Sequence, residues 1–414
     1  MKILLLGGTG AMGVHLAQIL ADKGNEVHIT SRRKFAEYKS DFAKQKRDFA
    51  DKTKKSDFTQ NTNHANHANI HYICGNAQDL DFTLDLLDLH KYDCVVDFMI
   101  YATIEFLDRV ELLLGKCVHY VFLSSARVYA SSDEPLREDS PRLLDISKDK
   151  EYLATDEYAL AKARQENILA HSHKRNYTII RPYITFSEIR LQLGVYEKES
   201  WLYRALQGKS IVFFKDIATH YTTMTYAQEV ARAIAVICGN PSAYRQTYHI
   251  ASEKAVKWEE ILAIYQKVLK NELGREVKVV FANLGEFFGK NAYQVIYDRL
   301  FDRKFDSSKI NALLTQNGEK QLGGGSLETH IALCLKEFIQ NPCFNGIDFD
   351  DEIKKDALCR EMTELRQIQG IQNKLTYLKA YKRNAKGFLA KIKARILYRG
   401  YKWCLILNKL RGKG

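Results

Sequence analysis

The chain has 414 residues, 46% hydrophobic and 27% charged, an ordinary globular composition with ample material for a large core. No apolar run approaches the roughly 18 residues of a membrane-spanning helix. The eight cysteines are scattered with no Cys-x-x-Cys pair, which excludes a disulfide framework and the usual zinc spacings and suits a reduced, cytoplasmic setting. The net charge of +12 is carried by one end: residues 365–414 hold 14 Lys or Arg and no acid, whereas residues 1–364 hold 48 basic and 50 acidic residues. An anionic partner is therefore expected at the tail alone. The opening MKILLLGGTG is too short an apolar run to read as a signal peptide.

In chain order, Ile3 to Leu6 reads as a buried strand, and Gly10 to Lys23 as a helix with Met12, Leu16, Ile19 and Leu20 on one face, ended by Gly24 and Asn25. Val27 to Thr30 is a second strand. Residues 34–69 are a biased polar insertion with near-repeats of Asp-Phe-Ala and Asn-His-Ala, read as surface loop. Strands are then expected at Ile70 to Cys74, Cys94 to Met99, His119 to Leu123 and Tyr177 to Arg181, alternating with helices near Thr83 to Leu89, Glu105 to Leu114 and Asp156 to His171. This alternation predicts an α/β fold with a doubly wound, mostly parallel sheet. Beyond Pro182 the pattern loosens around helices at Tyr226 to Cys238 and Lys257 to Leu269, and Gly323 to Gly325 mark a break. The domain reading is 1–181 dinucleotide-binding, 182–310 a substrate-binding cap interleaved with the sheet, and 311–414 a helical extension ending in a basic amphipathic tail.

Three motifs carry chemistry. Gly7, Gly10 and Gly13 directly follow the first strand. The first permits a tight turn, the second lets the backbone approach a pyrophosphate, and the third allows close helix-on-sheet packing. Thr9, Ala11 and Met12 complete that turn. At the end of the second strand, where an acid binds the ribose of NAD, stand Arg32 and Arg33, which suit the 2′-phosphate of NADP. Tyr158 and Lys162 lie one helical turn apart, so an ammonium can lower the pKa of a phenol. Tyr398 and Lys402 share that spacing, so spacing alone decides little. What separates Tyr158 is Ser124 and Ser125 at the end of a preceding strand, on the sheet edge where such folds bind ligand.

Together these pieces resemble the extended short-chain dehydrogenases, the NAD(P)-dependent epimerase/dehydratase group. The resemblance spans about residues 1 to 310 and includes Ser125 to Tyr129, Asn76 to Asp79, Arg181-Pro182 and the Glu229 to Ala233 helix. It implies Ser125, Tyr158 and Lys162 as the catalytic set. The cofactor, NADP preferred over NAD, would be held by Gly7, Thr9, Gly10, Ala11, Met12, Gly13, Arg32, Arg33, Asn76, Asp79 and Lys162. Tyr158 would exchange a proton with a substrate oxygen while the nicotinamide exchanges hydride with the carbon that bears it, and Lys162 would keep Tyr158 acidic. The substrate class implied is a sugar, a nucleotide sugar foremost, with Tyr101, Ser124, Tyr183, Arg190 and Trp201 as candidate contacts.

The departures carry information too. Members that eliminate water have an Asp-Glu pair after the catalytic Ser or Thr; here those positions are Ala126 and Arg127, which marks dehydration down. Ile184 and Thr222 stand where nucleotide-sugar enzymes have Asn and a diphosphate-binding Arg, so either Arg190, Arg204 or Lys209 replaces the grip or the substrate lacks a nucleotide. His64, His67 and His71 lie in or beside the insertion without neighbouring carboxylates or thiols, so no metal is expected. The tail, with Leu365, Ile368, Leu375 and Leu378, then Phe388, Leu389, Ile392, Ile396, Trp403, Ile406 and Leu410, has three readings. It lies on an anionic membrane face, packs on its own body or a twin subunit as a homodimer, or binds nucleic acid, the last the least favoured. The first makes the chain peripheral on the inner membrane face. A non-catalytic dinucleotide sensor or RNA-binding protein is the rival to the enzyme.

Overall fold

The computed structural model describes residues 1–32, 68–368, 370–385 and 387–411, without side chains at 367 and beyond 406. Arg33, His64, His67 and nearly all of the 34–69 stretch lie outside the described residues.

The described chain divides into two compact units. One comprises Met1–Gln192, Thr219–Val268 and Ala292–Cys343, the other Leu193–Ala218, Leu269–Asn291 and Phe344–Gly414. The first unit is built on seven strands: β1 (Lys2–Leu6), β2 (Glu26–Ser31), β3 (Ile70–Cys74), β4 (Tyr92–Asp97), β5 (Cys117–Leu123), β6 (Tyr177–Pro182) and β7 (Thr247–Ile250). They are ordered β7-β6-β5-β4-β1-β2-β3, and every pairing is parallel. The doubly wound parallel sheet expected from the alternation is thus present. β7 is a strand that the sequence pattern did not yield: Thr247 to Ile250 is only four residues long.

Helices cover both faces, which is why the central strands read as unbroken apolar runs. In β1, Ile3 and Leu5 face α1 (Ala11–Asp22), while Leu4 and Leu6 face the opposite layer; all four are fully buried. The first layer also holds Ser308–Gln316. The opposite layer is formed by α2 (Leu80–Leu89), α3 (Thr103–Lys116) and α4 (Tyr158–His171), through Leu86, Phe106, Val110 and Leu169. α5 (Ala227–Ile237) packs beside α1 through Val230, Ile234 and Ile237.

Because strand order reverses between β1 and β4, the loops after these two strands leave the sheet in opposite directions and open a crevice at its carboxyl edge. The turn after β1 is the glycine turn, and the loop after β4 carries Met99.

In the second unit, Ile211–Phe214 pairs parallel with Val279–Ala282. The unit's polar core is Arg204, fully buried, with Nη1 donating to Glu352 at 2.9 Å and Asp356 at 2.8 Å and Nη2 to Glu361 at 2.9 Å. Lys209 adds a bond to Asp356 at 2.8 Å. Both cations, considered above as a diphosphate grip, are instead bound to three carboxylates inside this unit. These carboxylates come from α6 (Phe349–Cys359) and the residues just after it. α7 (Ile371–Asn384) and α8 (Phe388–Arg411) follow and pack on each other.

Candidate active site

The glycine turn has the form its spacing anticipates. Gly7 sits at φ +70°, and a Cβ there would lie 2.6 Å from the Met99 sulfur. A Cβ on Gly13 would come within 2.3 Å of the Gly8 carbonyl oxygen, so the first turn of α1 can lie on the strand only if residue 13 has no side chain. Gly10 meets nothing within 4 Å. As the N-cap of α1 it offers no side chain to the helix's first N–H groups, so these donors face open space with the positive end of the helix dipole behind them. A phosphate fits that geometry. The turn is fixed from the β2 side, where Gly7 N donates to Thr30 Oγ1 at 2.9 Å. Thr9, Ala11 and Met12 are half-buried around it, and Arg32 is exposed just past β2.

The other predicted cofactor residues divide. Asn76 is exposed, its Oδ1 accepting from Gln78 N at 3.3 Å. Asp79 is the N-cap of α2, accepting from Asp81 N and Phe82 N at 3.0 and 3.3 Å, so one of its oxygens serves the helix.

Tyr158 opens α4. Glu157 caps this helix by accepting from Ala159 N at 2.8 Å, and so places the phenol on the first turn at the sheet's carboxyl edge. One turn on, the Lys162 ammonium donates to the Met99 carbonyl at 3.3 Å and lies 4.6 Å from the Phe122 ring centre. Met99 in turn touches Gly7, so Lys162 connects the Tyr-x-x-x-Lys helix to the glycine turn.

Burial pushes the Lys162 pKa down to about 8, against the pull of Asp97 and Glu166. Asp97, the last residue of β4, is a group that the sequence reading missed; it looked like part of an apolar strand. It is fully buried, and that burial raises its pKa. It accepts from the Tyr120 hydroxyl at 2.7 Å and the Tyr101 hydroxyl at 3.1 Å. Tyr101 is thereby committed to the core, with the Arg109 guanidinium 4.1 Å from its ring centre, rather than to a substrate.

The Tyr158 phenol is half-buried. Burial raises its pKa, and the leading opposition is the charge of Arg127, followed by a hydrogen bond with Ser125 and the charge of Arg190. The Arg127 guanidinium carbon is 5.1 Å from the Tyr158 ring centre. Sequence spacing assigned this acidifying role to Lys162, yet here the cation beside the phenol is Arg127. In the sequence that position is marked only by its lack of an acid. Arg127 is fixed by Glu157 at 2.6 Å and by Asp298, whose nearer oxygen is 3.8 Å from Nε. Asp298 also binds Arg299 and Arg303, so three guanidiniums share two carboxylates, Asp298 and Glu157, next to the phenol. Ser125 is buried at the N-cap of the short helix Ala126–Val128, where its Oγ accepts from Arg127 N at 3.2 Å.

Its neighbour Ser124 points to the other side of the chain. It donates to Glu166 Oε1 at 2.5 Å, within a buried cluster where Arg181 grips Glu166 through Nε and Nη2 at 2.8 and 2.7 Å and Arg142 adds 3.0 Å. This corrects Ser124 as a substrate contact: its hydroxyl is used by the scaffold. It also gives the Arg of Arg181-Pro182 a structural job. Tyr183 is buried near Arg299, with 3.5 Å between its oxygen and Nη1. Arg190 is near enough to Tyr158 to affect its charge. Trp201 belongs to the second unit and is fully buried, so its ring is not an exposed sugar platform.

His71 is on β3, paired with His28, and not in a loop. Ligand atoms of Glu26, His28 and His71 lie within 4.8 Å of one another, so a carboxylate does neighbour that histidine. Both His28 nitrogens already have partners, Tyr92 at 2.7 Å and Glu26 at 3.0 Å, and Lys2 is 3.0 Å from Glu26.

The profile of the NAD dependent epimerase/dehydratase family matches residues 3–251. Chloroplast stem-loop binding protein of 41 kDa b from Arabidopsis thaliana is 25% identical over 309 residues, 74% of this chain and 73% of that protein. Among solved structures, Pal from Bacillus thuringiensis aligns with a TM-score of 0.60 at 15% identity, covering 82% of this chain and 99% of that one. The UDP-glucuronic acid 4-epimerase of Bacillus cereus, in complex with UDP-glucuronic acid and NAD, aligns at 0.56 and 16%, covering 82% and 99%. At such identities these structures establish the fold alone.

Proposed function

Because the chain belongs to the NAD dependent epimerase/dehydratase family, we propose that it is an NAD(P)-dependent epimerase or reductase of a sugar, a nucleotide sugar foremost. The observation that carries this reading is the Tyr158 phenol, set between a guanidinium and a serine hydroxyl on a helix whose Lys162 leads to the glycine turn. The dinucleotide supplies hydride transfer when bound. The residues suited to hold it are Gly7, Thr9, Gly10, Ala11, Met12 and Gly13 at the pyrophosphate, Asn76 and Asp79 beyond, Lys162 toward the ribose, and Arg32 at a 2′-phosphate. With Arg32 and not an acid directly after β2, the reading favours NADP.

In this reading Tyr158 gives a proton to, or takes one from, the substrate oxygen, and Ser125 hydrogen-bonds that oxygen. Arg127 lowers the free energy of the phenolate, which burial otherwise raises. Elimination of water is disfavoured, since Ala126 and Arg127 offer no acid/base pair. Tyr183 and Arg190 are the remaining candidates for substrate contact.

A second reading rests on the relative named for stem-loop binding and on the basic tail: a nucleotide-binding fold that contacts RNA. The intact Ser125, Tyr158 and Lys162 favour catalysis. The test is mass spectrometry of the nucleotide that co-purifies, then a screen of nucleotide sugars for epimer formation or for reduction coupled to oxidation of the reduced dinucleotide. Conversion that requires NADP or NAD supports the enzyme; a protein that binds the dinucleotide yet converts none of the sugars favours the sensor. A transient-oxidation epimerase retains its cofactor through purification, whereas a reductase exchanges it freely.

A further inference from the structure

We infer that α8 is a peripheral membrane element that lies flat on an anionic lipid surface. The inference is independent of the reaction and rests on how α8 packs. Its Ala390, Ala394, Leu397, Tyr398 and Tyr401 meet a cluster that includes Leu378 and Tyr381 of α7. The predicted apolar seam is a different set of residues and faces solvent: Phe388 is 77% exposed, Leu389 80%, Ile396 65% and Trp403 66%, with Ile392 and Ile406 also exposed. Of the eighteen large apolar side chains strongly exposed among the described residues, these six share one helix of 24 residues. Scattered apolar exposure is ordinary, but a run of this kind marks an interaction surface.

At about 100° per residue, the six positions fall within an arc of about 100°, roughly opposite the side packed on α7. Lys391, Arg395 and Lys402 border that arc on one side and Lys393 on the other, with Arg399 within it; all five are exposed. No acid occurs anywhere from residue 365 onward.

That charge pattern selects the occupant. A nucleic acid would satisfy the cations and leave Leu389, Ile396 and Trp403 in water. A second copy would cover the stripe but set one basic border against another, with no carboxylate to answer. An anionic bilayer surface satisfies both: acyl chains take the stripe while long basic side chains reach the headgroups. No described helix is long and apolar enough to cross a membrane, so the mode is surface binding.

The molecule carries its own reporter. It has three tryptophans, and Trp201 and Trp258 are buried, so Trp403 is the one that vesicles can reach. The full-length protein is mixed with vesicles of phosphatidylcholine alone or with phosphatidylglycerol, and followed by co-sedimentation and tryptophan emission. The expected result is a blue shift and binding about tenfold or more tighter to the anionic vesicles, lost in high salt. Ile392→Ser with Ile396→Ser should weaken binding about tenfold or more, and Lys391→Glu with Lys393→Glu and Arg395→Glu should remove the anionic preference. These side chains are exposed, so unchanged circular dichroism is expected of both variants. Absence of vesicle binding, binding indifferent to the Ile392/Ile396 changes, or capture of a stem-loop RNA or a second copy in place of vesicles each overturns the inference.

Discussion

Ser124 and Ser125 are adjacent, both buried, and meet opposite fates. Ser124 is closed into a network in which Glu166 takes hydrogen bonds from a serine and two arginines. Ser125 faces a half-buried phenol beside a cluster whose cations outnumber its carboxylates. With Asp145 paired to Arg142, the first cluster is saturated and neutralised inside the protein; the second keeps a proton-bearing group whose charge state its surroundings contest. Saturation, and not residue type, separates a polar group that supports the fold from one suited to chemistry.

Perturbing the two clusters should have opposite signatures. Removing Glu166 strands Arg181 in the interior, while Arg142 keeps its pair with Asp145. Glu166→Ala is expected to cost about 3–5 kcal/mol of stability in denaturant unfolding, the magnitude typical of breaking a buried ion pair. A small loss would mean the cluster is less buried than it stands here.

Lys162 gives a pH-dependent contrast. Its folded pKa of about 8 lies below the ordinary lysine value, so between those two values the unfolded chain binds the extra proton and stability rises with pH. The penalty for the buried charge is complete below pH 8 and is relieved as pH climbs toward the unfolded value, a gain of about 3 kcal/mol. Lys162→Met should lack that gain when its unfolding is compared with wild type across this window; parallel curves would refute it.

At the second cluster, Arg127→Met should raise the Tyr158 pKa, moving the acidic limb of the pH–rate profile of the oxidative direction upward by about one pH unit and slowing turnover several-fold at neutral pH. An unmoved profile would return the acidifying role to Lys162 alone. The smallest expected effects separate the serines themselves. Ser124→Ala should lower stability by about 1–2 kcal/mol with turnover unchanged, whereas Ser125→Ala should do the reverse, slowing turnover about tenfold.

Much of the fold was legible because its signals are local. Unbroken apolar strands, one helical face per crossover and a glycine whose side chain would strike a backbone oxygen all leave marks within a few residues. The Ser125, Tyr158 and Lys162 positions were legible for the same reason. The strand Thr247–Ile250 was not, since its place beside β6 is set by tertiary pairing. Nor was Arg127 as the phenol's cation, because 30 residues separate it from Tyr158 and only the fold sets its guanidinium on the ring. Spacing likewise offered Arg204 and Lys209 as a grip on substrate, when α6 supplies the carboxylates that bind them. In the tail the period of the apolar seam was visible, but which face packs and which is left to solvent is a property of the α7–α8 pair.

The claim on which the functional account rests is that the phenol at position 158 moves the proton. It is tested most directly by turning over a cofactor-saturated Tyr158→Phe variant, with dinucleotide affinity measured on the same sample. A loss of about 10²–10⁴-fold in turnover, with affinity for NADP or NAD nearly intact, is the predicted result. A variant that turns over at the wild-type rate would contradict the mechanism.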